Sequence, residues 1–598
     1  MKKKFYILFL VPFLVFAFYF LRPTKTQTQE FSPTNGPYGG FVHCLLMEDG
    51  SQLAGTQGGG IYRSTDDGVS WREENQGLTS KNVYSLACSG SKIFAGTNGG
   101  IYESSIESLN WTPINSELAK TFVYQIVVDQ NTVYAGTDSG LIYSKDQGIH
   151  WSLAGKDLPP GSIQAVMVRG TSLYAGTEYG GIYQSDDGGD HWALKFSCPT
   201  GTPITSITKD ELFVYASSYS GGVYASKDDG NQWESLGKGL TSQGVYTLLS
   251  TDSKLFAGTE KGIFQFDSKE LVWNSMSTGL INPCVYTMAE KEGQLFAGTN
   301  GGGIYQSTDS GKNWNAVNEG LNNTHVSSFA NQGTLLFAGT NGAGVFLSED
   351  HGKSWISVNT GLTNPQVLSL ASTDSVLFAG TGGGGVFYSS DQGKSWNQVS
   401  GELMHMAVYS LYVKGTDLFA GTFGKGIYRS TDGGQRFQRI NKGLTNLNVG
   451  SLTGNNSHLF AGTFGGGVFR SSDHGESWMP VNEGLTNLQI FSIVSDESLL
   501  YAATPGGGVY CSSDNATSWK PVNTGLINPN VDALALEGSH ILAGTYGGGV
   551  FYSKNKGETW RREENGLGNT DVYSFYIKDN DVYAGTSVNG VWKRSFVP

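Results

Sequence analysis

Charge is thin along this chain: Asp, Glu, Lys and Arg make up 15% of its 598 residues, with a formal balance of -13, against roughly 25% in an ordinary soluble domain. No cluster of Lys and Arg stands out, which removes the electrostatic footprint that binding to nucleic acid requires. Cysteine is scarce and odd in number, at Cys44, Cys88, Cys198, Cys284 and Cys511. None is spaced as a C-x-x-C pair, so neither a metal site nor a disulfide framework is written into the chain, and no cofactor is implied. The thiols read as buried and free, with room for one disulfide in an oxidising compartment. Beyond the N-terminus no segment sustains a 3.6-residue apolar period, which leaves no place for helices in the main body.

Long apolar runs are equally rare. The single one is the 17-residue stretch from Phe5 to Leu21, preceded by Lys2, Lys3 and Lys4 and followed by the polar segment Arg22 to Pro37. Basic flank, apolar core and polar exit, in that order, make an export signal. No small-x-small pair follows the run, where Tyr19-Phe20-Leu21-Arg22-Pro23 stands instead. It therefore reads as an uncleaved signal anchor in preference to a cleaved signal peptide, at the short end of the ~17 to 25 residues that span a bilayer. Lysines ahead of the run put everything after it outside the cytoplasm, either membrane-anchored and facing the periplasm or exterior, or secreted.

What the chain does have is rhythm. Trp71, Trp111, Trp151, Trp192, Trp233, Trp273, Trp314, Trp355, Trp396, Trp478, Trp519 and Trp560 recur every 40 or 41 residues, and Phe437 fills the single gap on schedule. A period of this size marks one supersecondary unit copied and stacked, because no copy buries its own apolar face alone. Glycine, at 84 residues, is strung out at fixed repeat positions and reads as turns. Each unit holds four short strand signals, as in Val449 to Thr453, His458 to Thr463, Gly467 to Ser471 and Ser477 to Val481. Four short strands in one repeat make a propeller blade.

The second strand carries Ala-Gly-Thr, first at Ala54 and last at Ala584, with variants Ala216-Ser217-Ser218 and Ala502-Ala503-Thr504. Small residues there let tapering blades approach one another near the axis. Counting them gives an all-β chain of fourteen four-stranded blades. Fourteen blades in one ring would leave a wide, poorly filled centre, so the expectation is two seven-bladed β-propellers in tandem. The boundaries expected are 1–22 for the signal, 23–37 for a polar linker, 38–323 for the first propeller and 324–598 for the second. The last unit, from Asp571, has three strands only. A strand from the region Gln29 to Tyr38 would complete it and cover its open edge.

Between third and fourth strands the sequence repeats Ser-x-Asp-x-Gly-x-x-Trp, as in Ser64, Asp66, Gly68, Trp71 and Ser307, Asp309, Gly311, Trp314. The acid recurs as Asp66, Asp146, Asp187, Asp228, Asp309, Asp350, Asp391, Asp432, Asp473 and Asp514; it is Asn555 in unit thirteen, and units two and six have lost the pattern. The motif resembles the Asp-box, or BNR repeat, of sialidase-like β-propellers. Physically it is a turn, with the carboxylate accepting from nearby amides, Gly taking a positive dihedral and Trp anchoring the hairpin. Turns repeated in thirteen units, ten of them with the acid, cannot all be active sites or calcium sites, so the acids are read as structural and no metal is expected.

The resemblance implies that ligands sit on the rim opposite those turns. That rim is built from the second-to-third strand loops, whose variable residue is Gln57, Asn98, Asp138, Glu178, Glu260, Asn300, Asn341, Phe423, Phe464 or Tyr546. It also takes in the Gly-Leu-Thr-Asn blade connections, as at Thr363-Asn364, Thr445-Asn446 and Thr486-Asn487. Asn300, Asn341, Phe423, Phe464 and Tyr546 are the candidate ligand contacts, for a protein or a glycan held by stacking and hydrogen bonds. The arginine triad and Tyr-Glu pair of a sialidase are not visible.

The blade count is similar to that of xyloglucanase-type glycosidases, which use two carboxylates between two seven-bladed rings. Asp138 and Glu178, on equivalent loops of adjacent units, are the candidates for an inverting pair. The loops here are short and uniform, unlike those of such enzymes. The plain repeats also resemble the photosystem II assembly-factor and sortilin-type propellers, which are binding modules. The function expected is an extracytoplasmic binding or assembly scaffold, with a tandem-propeller glycoside hydrolase as the alternative.

Overall fold

Strands of five to seven residues separated by glycine-bearing turns can pair only with their sequence neighbours, and the result is a meander repeated along the chain. The unit beginning at Val449 shows the pattern with strands Val449–Gly454, Leu459–Thr463, Gly467–Ser471 and Met479–Pro480. The outer strand has shrunk to two residues. The computed structural model describes residues 32–595 apart from 35–37, 49, 115–117, 156, 243, 252–253, 321, 564–565, 568–569 and 579–580. The signal segment and most of the polar linker expected at 23–37 lie outside the described residues. Within these limits there is no helix, and the strands form twelve four-stranded sheets and one nine-stranded sheet that joins two blades.

The blades close into two rings. The inner strand of the first blade, Gly39–Glu48, lies beside that of the seventh, Val285–Lys291, while Phe41 pairs with Asn300. Trp71 seals the same junction, its Nε1 donating to Val317 O at 2.9 Å and its backbone N to Glu319 O at 2.7 Å. In the second ring the inner strand Val326–Gln332 lies beside Val572–Lys578, and Ser574 Oγ donates to Val326 O at 3.0 Å.

The last blade takes its fourth strand from the N-terminal side of the chain. Ser32 pairs with Lys593 and Pro33 with Trp592, in antiparallel register. Thr34 N donates to Val591 O at 3.0 Å, and Trp355 Nε1 donates to Thr34 Oγ1 at 3.1 Å. Part of the segment read as a linker is thus a strand of the second ring. The chain then crosses to the first ring at Gly39–Gly40 and returns at Asn322–Asn323, and these two crossings pair in parallel.

The repeated small residues are explained by contact distance. A Cβ on Gly96 would stand 2.7 Å from Val123 Cγ1 on the next blade's inner strand, and one on Gly462 would stand 2.6 Å from Ile490 Cγ2. The threonine that follows braces the loop: Thr463 Oγ1 donates to Gly467 O at 2.8 Å. The tryptophans staple neighbouring blades. Trp478 Nε1 donates to Ile440 O at 2.9 Å and Trp519 Nε1 to Val481 O at 2.8 Å, each reaching back 38 residues. In blades three to five the indoles of Trp151, Trp192 and Trp233 turn instead to Gly148, Gly189 and Gly230 of their own turns.

Each Ser-x-Asp turn is closed by its own side chains. Asp473 Oδ1 accepts from Ser471 Oγ at 2.8 Å and Ser477 N at 2.9 Å, Oδ2 accepts from Ser477 Oγ at 2.6 Å, and Gly475 N donates to Ser471 Oγ at 2.8 Å. Two successive residues take positive φ, His474 at 58° and Gly475 at 91°. Hydrogen bonds from the Ser477 and Ser395 hydroxyls hold the carboxyls of Asp473 and Asp391 down to about 2. Their folded values lie below the unfolded one near 3.9. The stabilisation they bring is therefore full above about pH 4 and is lost as pH falls towards 2. Acid titration of the intact chain is expected to lower its thermal midpoint across that window, and to do so less in a variant carrying Asp391→Asn and Asp473→Asn.

Candidate functional site

The rim opposite the Ser-x-Asp turns is where second-to-third strand loops meet the blade connections. Most of its polar side chains are consumed in bracing it. Asn446 Nδ2 donates to Phe464 O at 3.2 Å, Asn487 Nδ2 to Pro505 O at 2.6 Å, and Ser80 Oγ to Asn98 Oδ1 at 2.6 Å. Thr486 Oγ1 is 2.5 Å from the Tyr510 hydroxyl. The asparagine and threonine of the Gly-Leu-Thr-Asn connections thus hold loops together, and among the loop residues left exposed are the aromatic side chains of Tyr179, Tyr219, Phe423 and Tyr546.

A feature of the inner strands decides which side chains reach the central channel. In the first blade the register slips between Val42, opposite Thr56, and Cys44, opposite Gly55, so His43 is an extra residue. The same bulge recurs at Tyr84, Tyr124, Tyr246 and Tyr286 in the first ring and at Tyr409, Asp532 and Tyr573 in the second. A bulge re-aims one side chain out of the pleat's alternation. Here it collects a residue from each of these blades around the channel mouth.

In the first ring these residues form an arc. His43 packs on Tyr84 at 4.7 Å and Tyr286 at 5.3 Å, Tyr84 on Phe122 at 4.5 Å, Phe122 on Tyr124 at 4.5 Å, and Tyr286 on Tyr246 at 4.9 Å between ring centroids. Burial lowers His43 to about 4, which keeps it neutral in the arc.

The second ring's mouth is built differently. Phe464 lies over Gly450, where a Cβ would come within 2.5 Å of its ring. Around it stand Phe491 at 5.4 Å, Tyr409 at 5.7 Å and Phe423 at 6.5 Å, and Phe423 is 54% exposed. Tyr409 also walls a cavity of about 370 Å³ bounded by His325, Asn341, Gln366, Leu368 and Tyr573. His325 stacks on Tyr573 at 4.6 Å and burial lowers it to about 4. Past Phe491 comes Asp532, raised to about 6 by burial and by the neighbouring Asp571. Asp571 Oδ1 accepts from Gly547 N at 2.7 Å.

The five ligand candidates separate in space. Phe423 and Phe464 belong to the aromatic wall, Tyr546 stands exposed beside Asp571 and Tyr573, and Asn341 lines the cavity. Asn300 sits at the seam between rings. Its carbonyl accepts from Asn282 Nδ2, which also donates to Gly342 O at 3.0 Å, and a Cβ on Gly342 would stand 2.8 Å from Asn300 O.

Asp138 and Glu178 occupy loops of adjacent blades, and both act to raise the Tyr124 hydroxyl behind the larger effect of burial. Asp138 Oδ1 accepts from Ser139 Oγ at 3.1 Å. Glu178 Oε1 accepts from Ser162 N at 3.2 Å and Oε2 from Ser162 Oγ at 3.1 Å, and Glu260 repeats that brace on Ser242 Oγ at 3.2 Å. No group of three or more metal-ligating side chains occurs among the described residues.

Residues 42–171 match the DUF6242 beta propeller domain. No curated protein matches the chain. Among solved structures, an ancestral GH74 enzyme shares 16% identity with a TM-score of 0.66, covering 95% of this chain and all of the other. The GH74 xyloglucanase from Xanthomonas campestris shares 16% identity over 95% of this chain and 100% of its own, with a TM-score of 0.61. PorZ, a surface component of the type-IX secretion system of Porphyromonas gingivalis, shares 14% identity over 94% of this chain and 87% of its own, with a TM-score of 0.56. At these identities the likeness is one of fold, a tandem β-propeller.

Proposed function

We propose that this chain is an exported, membrane-tethered tandem propeller of the Asp-box type that holds a protein or glycan ligand on its loop rim and performs no chemistry on it. The observation that carries this reading is the aromatic wall beside the cavity in the second ring, where Tyr409, Phe423 and Phe491 stand exposed around the half-buried Phe464. Exposed apolar side chains gathered at one place on an otherwise polar surface are characteristic of interaction sites. The tether rests on the apolar run Phe5 to Leu21 and its lysine flank. The fold alone does not decide between binding and catalysis, since it is shared by hydrolases and by a secretion component.

The glycosidase alternative draws support from one feature, the placement of Asp138 and Glu178 on adjacent loops where both act on the Tyr124 hydroxyl. Against it, Glu178 makes the same serine brace as Glu260 in another blade, which is the behaviour of a loop support. Incubation of purified protein with xyloglucan and mixed β-glucans is expected to release no reducing ends. Hydrolysis that disappears in Asp138→Asn or Glu178→Gln would overturn the scaffold reading. A bound partner retained by both variants would strengthen it.

A further inference from the structure

The two channel mouths share bulged inner-strand tyrosines but differ in what the surrounding loops and connections add. The first ring presents tyrosines and a histidine, amphipathic groups whose rings cover one another. The second presents phenyl rings, exposed at Phe423 and Phe491 and half-buried at Phe464, with Leu488 exposed on the adjoining blade connection. Phenyl and isobutyl groups offer water nothing, so their exposure is compensated only when something apolar covers them.

Three features narrow the occupant. First, the cavity that continues the aromatic wall carries no formal charge along its lining above about pH 4, since His325 stays neutral. Second, the amides of Asn341 and Gln366 stand at that cavity, and a side-chain amide matches a peptide group, offering both an N–H and a C=O. Third, the wall is bounded on its next blade by Asp532, with Asp571, Tyr573 and Tyr546 around it. Two neighbouring carboxylates favour a cation through charge.

Resting on the scaffold reading above, we infer that the mouth of the second ring receives an extended segment of a partner protein, placing an apolar side chain against Phe423 and Phe491 and a lysine or arginine beside Asp532. The partner's backbone would exchange hydrogen bonds with Asn341 and Gln366. The first ring's mouth, where the loop positions of Phe423 and Phe464 are taken by polar residues such as Asn98, Asp138 and Glu178, has no part in this contact.

A positional-scanning library of fluorescent ten-residue peptides, read by anisotropy against the full chain, tests the inference. Selection of an aromatic or aliphatic residue together with a nearby Lys or Arg is expected, and replacing that basic residue by Glu should weaken binding at least tenfold. Phe423→Ser combined with Phe491→Ser should cost tenfold or more for every selected peptide, with an unchanged thermal midpoint as the check on folding. Asp532→Asn should abolish the preference for the basic residue while leaving the apolar preference in place, and Tyr84→Ser in the first ring should change neither. The inference falls if no peptide is enriched, if acidic and basic versions bind alike, or if the Phe variants bind as the parent does. It also falls if neutral oligosaccharides bind at this mouth in their place, an outcome that leaves the scaffold reading standing, whereas glycan hydrolysis dependent on Asp138 or Glu178 removes the scaffold reading itself.

Discussion

Trp519→Ala is expected to destabilise the second ring by about 3–5 kcal/mol, the usual cost of truncating a buried tryptophan. Its indole is 3% exposed and packs with Phe460, Val468, Ile490 and Ile493 between blades eleven and twelve. Three contacts converge at this one residue. Nε1 donates to Val481 O at 2.8 Å, the backbone N donates to Glu483 O at 2.8 Å, and the carbonyl lies where a Cβ on Gly484 would be 2.1 Å away. Truncation opens a cavity between two blades and orphans the Val481 carbonyl at once. Trp233→Ala is a matched control, because that indole is only partly buried and donates within its own turn, to Gly230 O at 2.9 Å. Urea unfolding monitored by far-ultraviolet circular dichroism should show the Trp519 variant losing more than twice what the Trp233 variant loses. Equal losses would mean that the blade-to-blade staple adds nothing to burial.

A chain beginning at Gly39 is expected to lose a comparable amount, about 3–5 kcal/mol, all of it from the second ring. Gone are the hydrogen bonds from Thr34 to Val591 and from Trp355 to Thr34 Oγ1. Each contributes roughly 1 kcal/mol net, and a buried donor left without a partner costs a further ~1–3 kcal/mol. The strand Val591–Ser595 would also become an open edge, a template for pairing with another copy. Differential scanning calorimetry should show one transition shifted down and the other unmoved, with concentration-dependent aggregation above the first. A single unshifted profile would show that the closure is dispensable.

The architecture was legible because its signals are local and repeated. The tryptophan period, the Ala-Gly-Thr strand and the Ser-x-Asp turn each report one blade, and fourteen copies average out the decayed units at Ser104 and Phe266. The need for a fourth strand in the last blade was likewise readable from the missing outer strand after Asp571.

The site was less legible, for a physical reason. Val-Tyr recurs at Val83, Val123, Val245, Val285, Val408 and Val572, but simple alternation sends the tyrosine to the face opposite the valine within a blade. Only the bulge turns it into the channel, and nothing in a dipeptide announces a bulge. Asn364, Asn446 and Asn487 were conspicuous in the sequence because they repeat, yet repetition followed from their bracing the loops. Asp532 was inconspicuous because it occurs once.

The paired crossings at Gly39–Gly40 and Asn322–Asn323 give the chain a nested organisation. The second ring owns residues on both sides of the first, Ser32–Thr34 before it and Val326 to Ser595 after it. The first ring is therefore a guest domain inserted within its host, with entry and exit side by side. A guest whose ends adjoin is excisable: a short turn from Gly40 to Asn322 would leave the host ring with all its strands. A division of the gene at residue 323 does the opposite, since it separates the host from the strand that closes it.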